Sequence, residues 1–371
     1  MRIHGHCDAR FRPLTEQLRV NFQRHGEVGA AVAVILDGEP VVDVWAGWAD
    51  AARTRPWQQD TLVDVFSVGK PMVALCLLQL VERELIDLDE PVASYWPEFA
   101  AGGKEQVTVR ALLGHRAGLP AIRRELPPGA MYDWELMTST LAAELPWWEP
   151  DTAHGYHTNT YGFLVGELVR RVTGENPGEV FRRAIAEPLG ADFHFGLPAS
   201  EDARVAEFQF PDRPPAEMSD PDTVPLIIRR AYFNPPGVSG IGTVNTREWR
   251  AAVMPSTNGH ATARAVARIY AGLDRIIDPN TLKEATRESS YGPDRVLTRP
   301  SRFGLGFQLT MPQRPLGPNP GAFGHFGAGG SLGFADTEAG IAFAYTPNQG
   351  EGPRWQNPRN RGLIEALYGC L

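Results

Sequence analysis

Only three cysteines, Cys7, Cys76 and Cys370, occur in the 371 residues of the chain. An odd count with no repeated spacing argues against a disulfide framework and for a reducing compartment. No stretch approaches the roughly 18 uninterrupted apolar residues of a membrane span. The opening residues, MRIHGHCDARFRP, lack the apolar core of a secretory signal, so a cytoplasmic location is expected. Positive charge is scarce as well: 36 Lys and Arg stand against 44 Asp and Glu, a formal net charge of −8. A surface of that sign repels phosphate backbones, which argues against nucleic acid as a partner. His-Glu-x-x-His is absent, and the pairs His4/His6 and His154/His157 have no third ligand at a recognisable spacing, so no metal is expected. There is no internal repeat and no low-complexity tract.

What is present reads as strands at both ends with helices between. Phe11, Leu14, Leu18 and Phe22 recur at helical spacing within residues 10–24. AAVAVILDGEPVVDVWAG, residues 30–47, holds two apolar runs around Asp37-Gly38, a hairpin signal because a type I′ turn needs φ > 0 at both central positions. VTVRALLGHRAGLP (107–120) reads as a short helix closed by Gly118 and Pro120, and GFLVGELVRRVTG (162–174) as an amphipathic helix stopped at Gly174. Residues 196–240, rich in Pro, Asp and Gly, read as a long surface excursion. ARAVARIYAGL (263–273) is helical again. Strand signals return in GLGFQLT (304–310), SLGFAD (331–336) and IAFAYTP (341–347), and a last helix is expected over 358–368. The pattern predicts an α/β chain of the α+β type, an antiparallel sheet flanked by helices with a mainly helical domain inserted. Residues 1–66 and 245–371 form the expected sheet domain, and 67–244 the helical one, with the site between them.

DVFSVGKPMVAL, residues 64–75, starts a buried helix yet carries Ser67 and Lys70 three residues apart on one face. One reading is a capping serine and a lysine whose stem packs on apolar surface while its amine reaches water. The other is a nucleophile and its base: a serine hydroxyl needs a neighbour to take its proton, and a lysine can do so when burial depresses its pKa. Helix-start N–H groups add a positive field for a developing oxyanion.

Two further segments favour the chemical reading. In HGYHTNTYG (154–162), Tyr156 could relay a proton between nucleophile and leaving group, its phenol made more acidic by Lys70 as a nearby cation. Trp147 and Trp148, just upstream, could line an acyl pocket. GHFGAGGSLGFAD (324–336) is glycine-dense beside a strand, so its backbone can approach a ligand and an edge strand there can donate an N–H to a carbonyl.

With FSVGKPMVALCLLQLVERELIDLDEPVASYWPEF, VTVRALLGHRAGLP, HGYHTNTYGFLVGELVRRVTG, NGHATARAVARIYAGL and FGHFGAGGSLGFAD in this order, the chain resembles the serine β-lactamase and penicillin-binding-protein superfamily. It is most similar to the class C-type branch that includes serine carboxylesterases. That resemblance implies a β-lactamase/transpeptidase-like fold, Ser67 as nucleophile, Lys70 as its activating partner and Tyr156 as the tyrosine of the second motif. It places the third motif at His325, Phe326 and Gly327, as part of a substrate-binding wall, and the oxyanion hole at the N–H groups of Ser67 and Ala328. The second motif reads Tyr156-His157-Thr158 rather than Tyr-x-Asn, with Asn159 one place late, so Asn159 stays outside the catalytic set. His325 stands where many β-lactamases carry lysine, and a mostly neutral imidazole favours a neutral ester over an anionic antibiotic.

The expectation is a carboxylesterase for short or medium acyl esters, working through an acyl-serine with a small-molecule ester as partner and no cofactor. β-Lactamase, D-amino-acid peptidase or amidase, and acyl transfer to an alcohol share the same intermediate. A non-catalytic ligand-binding scaffold would have lost Ser67, Lys70 or Tyr156, and all three are present. Gly329-Gly330-Ser331-Leu332-Gly333 also matches G-x-S-x-G, but that chemistry needs a histidine after the serine and none follows Ser331. His115 is expected to make a structural hydrogen bond, and Cys76 to pack in the core.

Overall fold

Asp37 and Gly38 take φ of 49° and 84°, the left-handed pair that a two-residue hairpin turn requires. The computed structural model describes residues 1–210, 224–350 and 356–371; part of the 196–240 excursion therefore lies outside the described residues. In chain order the strands are β1 Ile3–Cys7, β2 Gly29–Leu36, β3 Glu39–Gly47, β4 Val63–Asp64, β5 Phe193–His194, β6 His260–Ala261, β7 Ser290–Pro293, β8 Pro300–Phe303, β9 Gln308–Leu309, β10 Phe323–Phe326, β11 Leu332–Asp336 and β12 Ile341–Pro347. The helices are α1 Arg12–Arg24, α2 Gly69–Glu82, α3 Val109–Leu113, α4 Trp134–Ala143, α5 Tyr161–Thr173, α6 Pro177–Phe181, α7 Leu226–Phe233, α8 Arg247–Ala251, α9 Ala263–Ala271, α10 Pro279–Ala285 and α11 Pro358–Tyr368.

Nine strands form one sheet in the order β1-β3-β2-β12-β11-β10-β9-β8-β7, every neighbouring pair antiparallel. The alternation of side chains across a pleated strand divides its central part into two faces. Val32, Val34, Phe343 and Tyr345 lie in the core that holds Leu14 and Leu18 of α1 and Leu363 and Leu367 of α11. Ala33, Ile35, Ala342 and Ala344 lie in the other core, with Val266 and Ala267 of α9. Small residues on that face let α9 come close: a methyl at Gly333 would sit 2.5 Å from Val266 Cγ1.

Helix α2 is buried from Gly69 through Leu78 and again at Leu80. Apolar on every side, it is an interior helix rather than an amphipathic one. Ser67 precedes it on a single 3₁₀ turn, Phe66–Val68. Strands β4, β6 and β5 form a second, three-stranded sheet beside it. Gly174 ends α5 with φ 74°, as its position predicts. Some expectations shift. α3, capped at its start by Thr108, stops at Leu113, well before Gly118, because the chain turns at Gly114 and His115 (φ 62°). Within 304–310 only Gln308–Leu309 pair as a strand, and the excursion contains a regular helix, α7.

Lys104 is fully buried, and its ammonium donates to the carbonyls of Ala101 (2.5 Å), Ala142 (3.0 Å) and Glu144 (2.6 Å). It thereby closes the C-terminal end of α4. Lys104→Met leaves buried carbonyls without a donor and is expected to cost about 1–3 kcal/mol. Urea unfolding reads the loss, and hydrolysis by the remaining folded protein should be unchanged.

Candidate active site

The site is built where α2 starts. Asp64 Oδ1 accepts the Phe66 N–H at 2.7 Å, and Oδ2 accepts Trp249 Nε1–H at 2.6 Å. Phe66 is held at φ 48°, a left-handed conformation that side chains rarely adopt, directly before Ser67. Burial pushes the Asp64 carboxyl well above the usual range, against the pull of these two donors. Gly69 and Gly162 bring α2 and α5 onto one segment: a methyl at Gly69 would lie 2.5 Å from Pro255 O, and one at Gly162 2.5 Å from Ser256 N. That approach delivers a carbonyl to Lys70.

Lys70 is 0 % exposed. Its Nζ lies 3.0 Å from Ser67 Oγ, 2.6 Å from Thr158 O and 3.0 Å from Ser256 O. Burial alone drives its pKa well below the ordinary lysine value. A neutral amine has two N–H groups and one lone pair; the two carbonyls can take only the N–H groups, which leaves the lone pair for the serine proton. When the amine gains that proton, Thr158 O, Ser256 O and the ring of Tyr156, 4.7 Å from Nζ to its centroid, surround the cation.

Tyr156 is 1 % exposed and stacks on Phe303, with centroids 5.8 Å apart and planes 4° from parallel. Its phenol faces Ser67, which pulls its pKa down, yet burial holds it well above the usual phenol range. The sequence suggested a cationic Lys70 making this phenol more acidic. The structure reverses that: with no carboxylate at the lysine among the described residues, burial favours the neutral forms of both groups, an amine that accepts and a phenol that donates.

The loop that carries Tyr156 is braced from behind. His157 donates from Nδ1 to Gly155 O (2.7 Å) and accepts the Leu119 N–H at Nε2 (3.0 Å), while His115 Nδ1 accepts the His157 N–H (3.1 Å). Both imidazoles are pushed down by burial, His157 to about 3. His154 turns elsewhere, its Nε2 2.9 Å from Ser301 Oγ. Asn159 points away from the lysine, donating to Ala231 O at 2.6 Å and Ser239 Oγ at 3.0 Å. The Thr158 hydroxyl instead meets the phenol of Tyr232, which sequence reasoning passed over.

β10 lies inside the sheet, but β9 pairs only with Phe323 and Gly324, so its outer side opens beyond Gly324. There Gln308 Oε1 takes the Phe326 N–H at 3.0 Å. The His325 ring is 0 % exposed and donates from Nδ1 to Phe326 O at 2.6 Å, so its other nitrogen carries a lone pair. Burial, then Lys70, holds the imidazole neutral. The Phe326 side chain packs in the sheet core with Tyr156 and Phe303. A methyl at Gly327 would lie 2.3 Å from Val65 O, so this glycine lets the strand close on the turn that carries Ser67. Among the described residues, no backbone carbonyl accepts from the N–H of Ser67 or of Ala328. Trp147 ties its indole N–H to Ala121 O (2.8 Å) and packs at the edge of the core that holds Tyr156. Trp148 bonds to Ala153 O (3.0 Å) and covers Gly155. Ser331 lies apart from this chemistry, its hydroxyl donating to Val65 O at 2.9 Å.

A serine on a tight turn, a buried lysine one step along its helix and a phenol against both fit the class of serine hydrolases. The β-lactamase family profile matches residues 8–367, and the chain belongs to that family. It is 36 % identical over 367 residues to the esterase/beta-lactamase LipL of Mycobacterium tuberculosis, covering 94 % of this chain and 83 % of that protein. The crystal structure of a family VIII carboxylesterase superposes with a TM-score of 0.92 at 40 % identity, over 100 % of both chains. A penicillin-binding-protein homolog from Caulobacter crescentus gives 0.92 at 39 % identity, again over 100 % of both.

Three expected outcomes rest on this geometry. Lys70→Arg puts a permanent cation with no usable lone pair where the neutral amine stood, so turnover should fall by about 10²–10⁴-fold, as for loss of a general base. In the unmodified protein the acid limb of kcat/KM should lie well below the ordinary lysine pKa, with activity lost as falling pH protonates the amine. Ser331→Ala removes one sheet-to-turn hydrogen bond and is expected to cost about 1 kcal/mol in unfolding free energy while leaving turnover intact.

Proposed function

We propose that the chain hydrolyses short or medium-chain acyl esters through an acyl intermediate on Ser67. The observation that carries the reading is the Lys70 amine: buried, without a carboxylate beside it among the described residues, and 3.0 Å from Ser67 Oγ. Lys70 takes the serine proton as Oγ attacks the ester carbonyl. The oxyanion forms against the N–H groups of Ser67 and Ala328, where losing one donor typically costs ~10²–10³ in turnover. Tyr156 gives its proton to the departing alkoxide and regains one from Lys70. Water then attacks the acyl carbonyl as it loses a proton to the same pair; the Ser67 Oγ–C bond breaks, Oγ takes that proton back, and the acid leaves.

A neutral ester suits the site because His325 brings no charge to the third-motif position. No lysine stands at the third-motif position, where many β-lactamases use one to hold an antibiotic carboxylate. The wall of the acyl pocket is assigned to Trp147 and Trp148 with His325, Phe326 and Gly327. A β-lactam is the second reading, favoured by the double name of the mycobacterial relative and by the shared acyl-serine chemistry. Among the described residues no helix is long and apolar enough to cross a membrane. Three free cysteines support a cytoplasmic setting, with a small ester as the partner.

A fluorophosphonate probe followed by peptide mapping tests the nucleophile. An adduct on Ser67 that a short acyl ester competes away supports the reading; an adduct on Ser331 overturns it. Tyr156→Phe should slow acylation by about 10²–10⁴-fold with little change in substrate binding. Stopped-flow measurement of the acylation phase separates the two, and an unchanged rate removes Tyr156 from the mechanism.

A further inference from the structure

The Tyr156 main-chain N–H is held by a residue outside all three motifs. Asp294 follows β7 and is 4 % exposed. Its two carboxyl oxygens each lie 3.1 Å from the Tyr156 nitrogen. Oδ1 also accepts the N–H groups of Val296 and Leu297, both at 2.8 Å. Oδ2 accepts the Ser301 hydroxyl at 2.7 Å, and that hydroxyl lies 2.9 Å from His154 Nε2. Every group bonded to this carboxyl donates, which suits an acceptor-only carboxylate. The Val296 and Leu297 bonds alone would make Asp294 an ordinary turn residue. The grip on Tyr156, 138 positions away in sequence, is not a turn interaction.

We propose that Asp294 is a positioning residue for the proton transfer, holding the Tyr156 main chain so that its phenol meets Ser67 and the leaving alkoxide. The proposal rests on the reading of Tyr156 as the acid. The carboxylate has a second effect, because a buried negative charge near a phenol disfavours the phenolate and helps keep Tyr156 protonated. The other groups facing Tyr156 are Ser67 and Lys70 at the start of α2, His115 after α3, Tyr161 of α5, Tyr232 of α7 and His325 of β10. His154, Arg299 and Arg314 surround Asp294 itself.

Two variants separate anchoring from charge. Asp294→Asn keeps an acceptor for the three N–H groups and lets the Ser301 hydroxyl turn to accept, so it retains the hydrogen-bond frame while removing the anion. The alkaline limb of its kcat/KM profile, measured on a p-nitrophenyl ester, should move to lower pH with KM nearly unchanged. Asp294→Ala removes the anchor, and kcat should fall by roughly 10²-fold, the cost of about 1 Å of misplacement. In a Tyr156→Phe background neither change should add a further loss, since both act through the same group. Circular dichroism and fluorophosphonate titration count folded, reactive sites in each variant. An alkaline limb that stays in place in folded Asp294→Asn overturns the proposal, as does a full additional loss on top of Tyr156→Phe. Turnover retained in Ser67→Ala would instead overturn the underlying reading of the site.

Discussion

The arrangement depends on one buried amine that has no counter-ion among the described residues. Placing a carboxylate beside Lys70 would favour its charged form and remove the base. The protein instead offers two backbone carbonyls, Thr158 O and Ser256 O, which hold the nitrogen without fixing its charge. The surroundings are consistent with that choice. His115, His157 and His325 are all pushed toward neutrality by the same burial. In the proposed proton transfer, a transient ammonium at Lys70 would be met by the Thr158 and Ser256 carbonyls and the face of Tyr156.

Such a site needs close backbone approach on several sides, and glycines supply it. Gly69 and Gly162 let two helices close on residues 255–256, and Gly327 lets β10 close on Val65. The shortness of β9 leaves the outer side of β10 open beyond Gly324, with Gln308 covering the first exposed N–H. The sheet thus acts as a frame whose interrupted pairing faces the nucleophile. The helical body supplies the turn, the lysine and the tyrosine loop.

Placement of charge also separates ester chemistry from the alternatives. The acyl-serine step is common to esterases, β-lactamases and amidases, so the core groups do not distinguish them. The third-motif position does, because a buried imidazole that spends its proton on Phe326 O cannot hold a substrate carboxylate by charge.

Much of this was legible in the sequence because it is local. Asp37-Gly38 carries its own turn chemistry, Gly174 its own stop, and the last helix runs Pro358–Tyr368 where the periodicity placed it. Ser67, Lys70 and Tyr156 were readable as residue types in a known order. Strands of two residues such as β4, β5, β6 and β9 have too few positions for any period, so their pairing was invisible. The partners that define the chemistry were equally hidden. Thr158 and Ser256 act through carbonyls that any residue has, and Asp294 after Gly292-Pro293 reads as a turn residue. The sequence by itself determined which side chains can react. Only the tertiary structure decided their charge, since burial is a property of the whole packed chain and the lysine's neutrality comes from what encloses it.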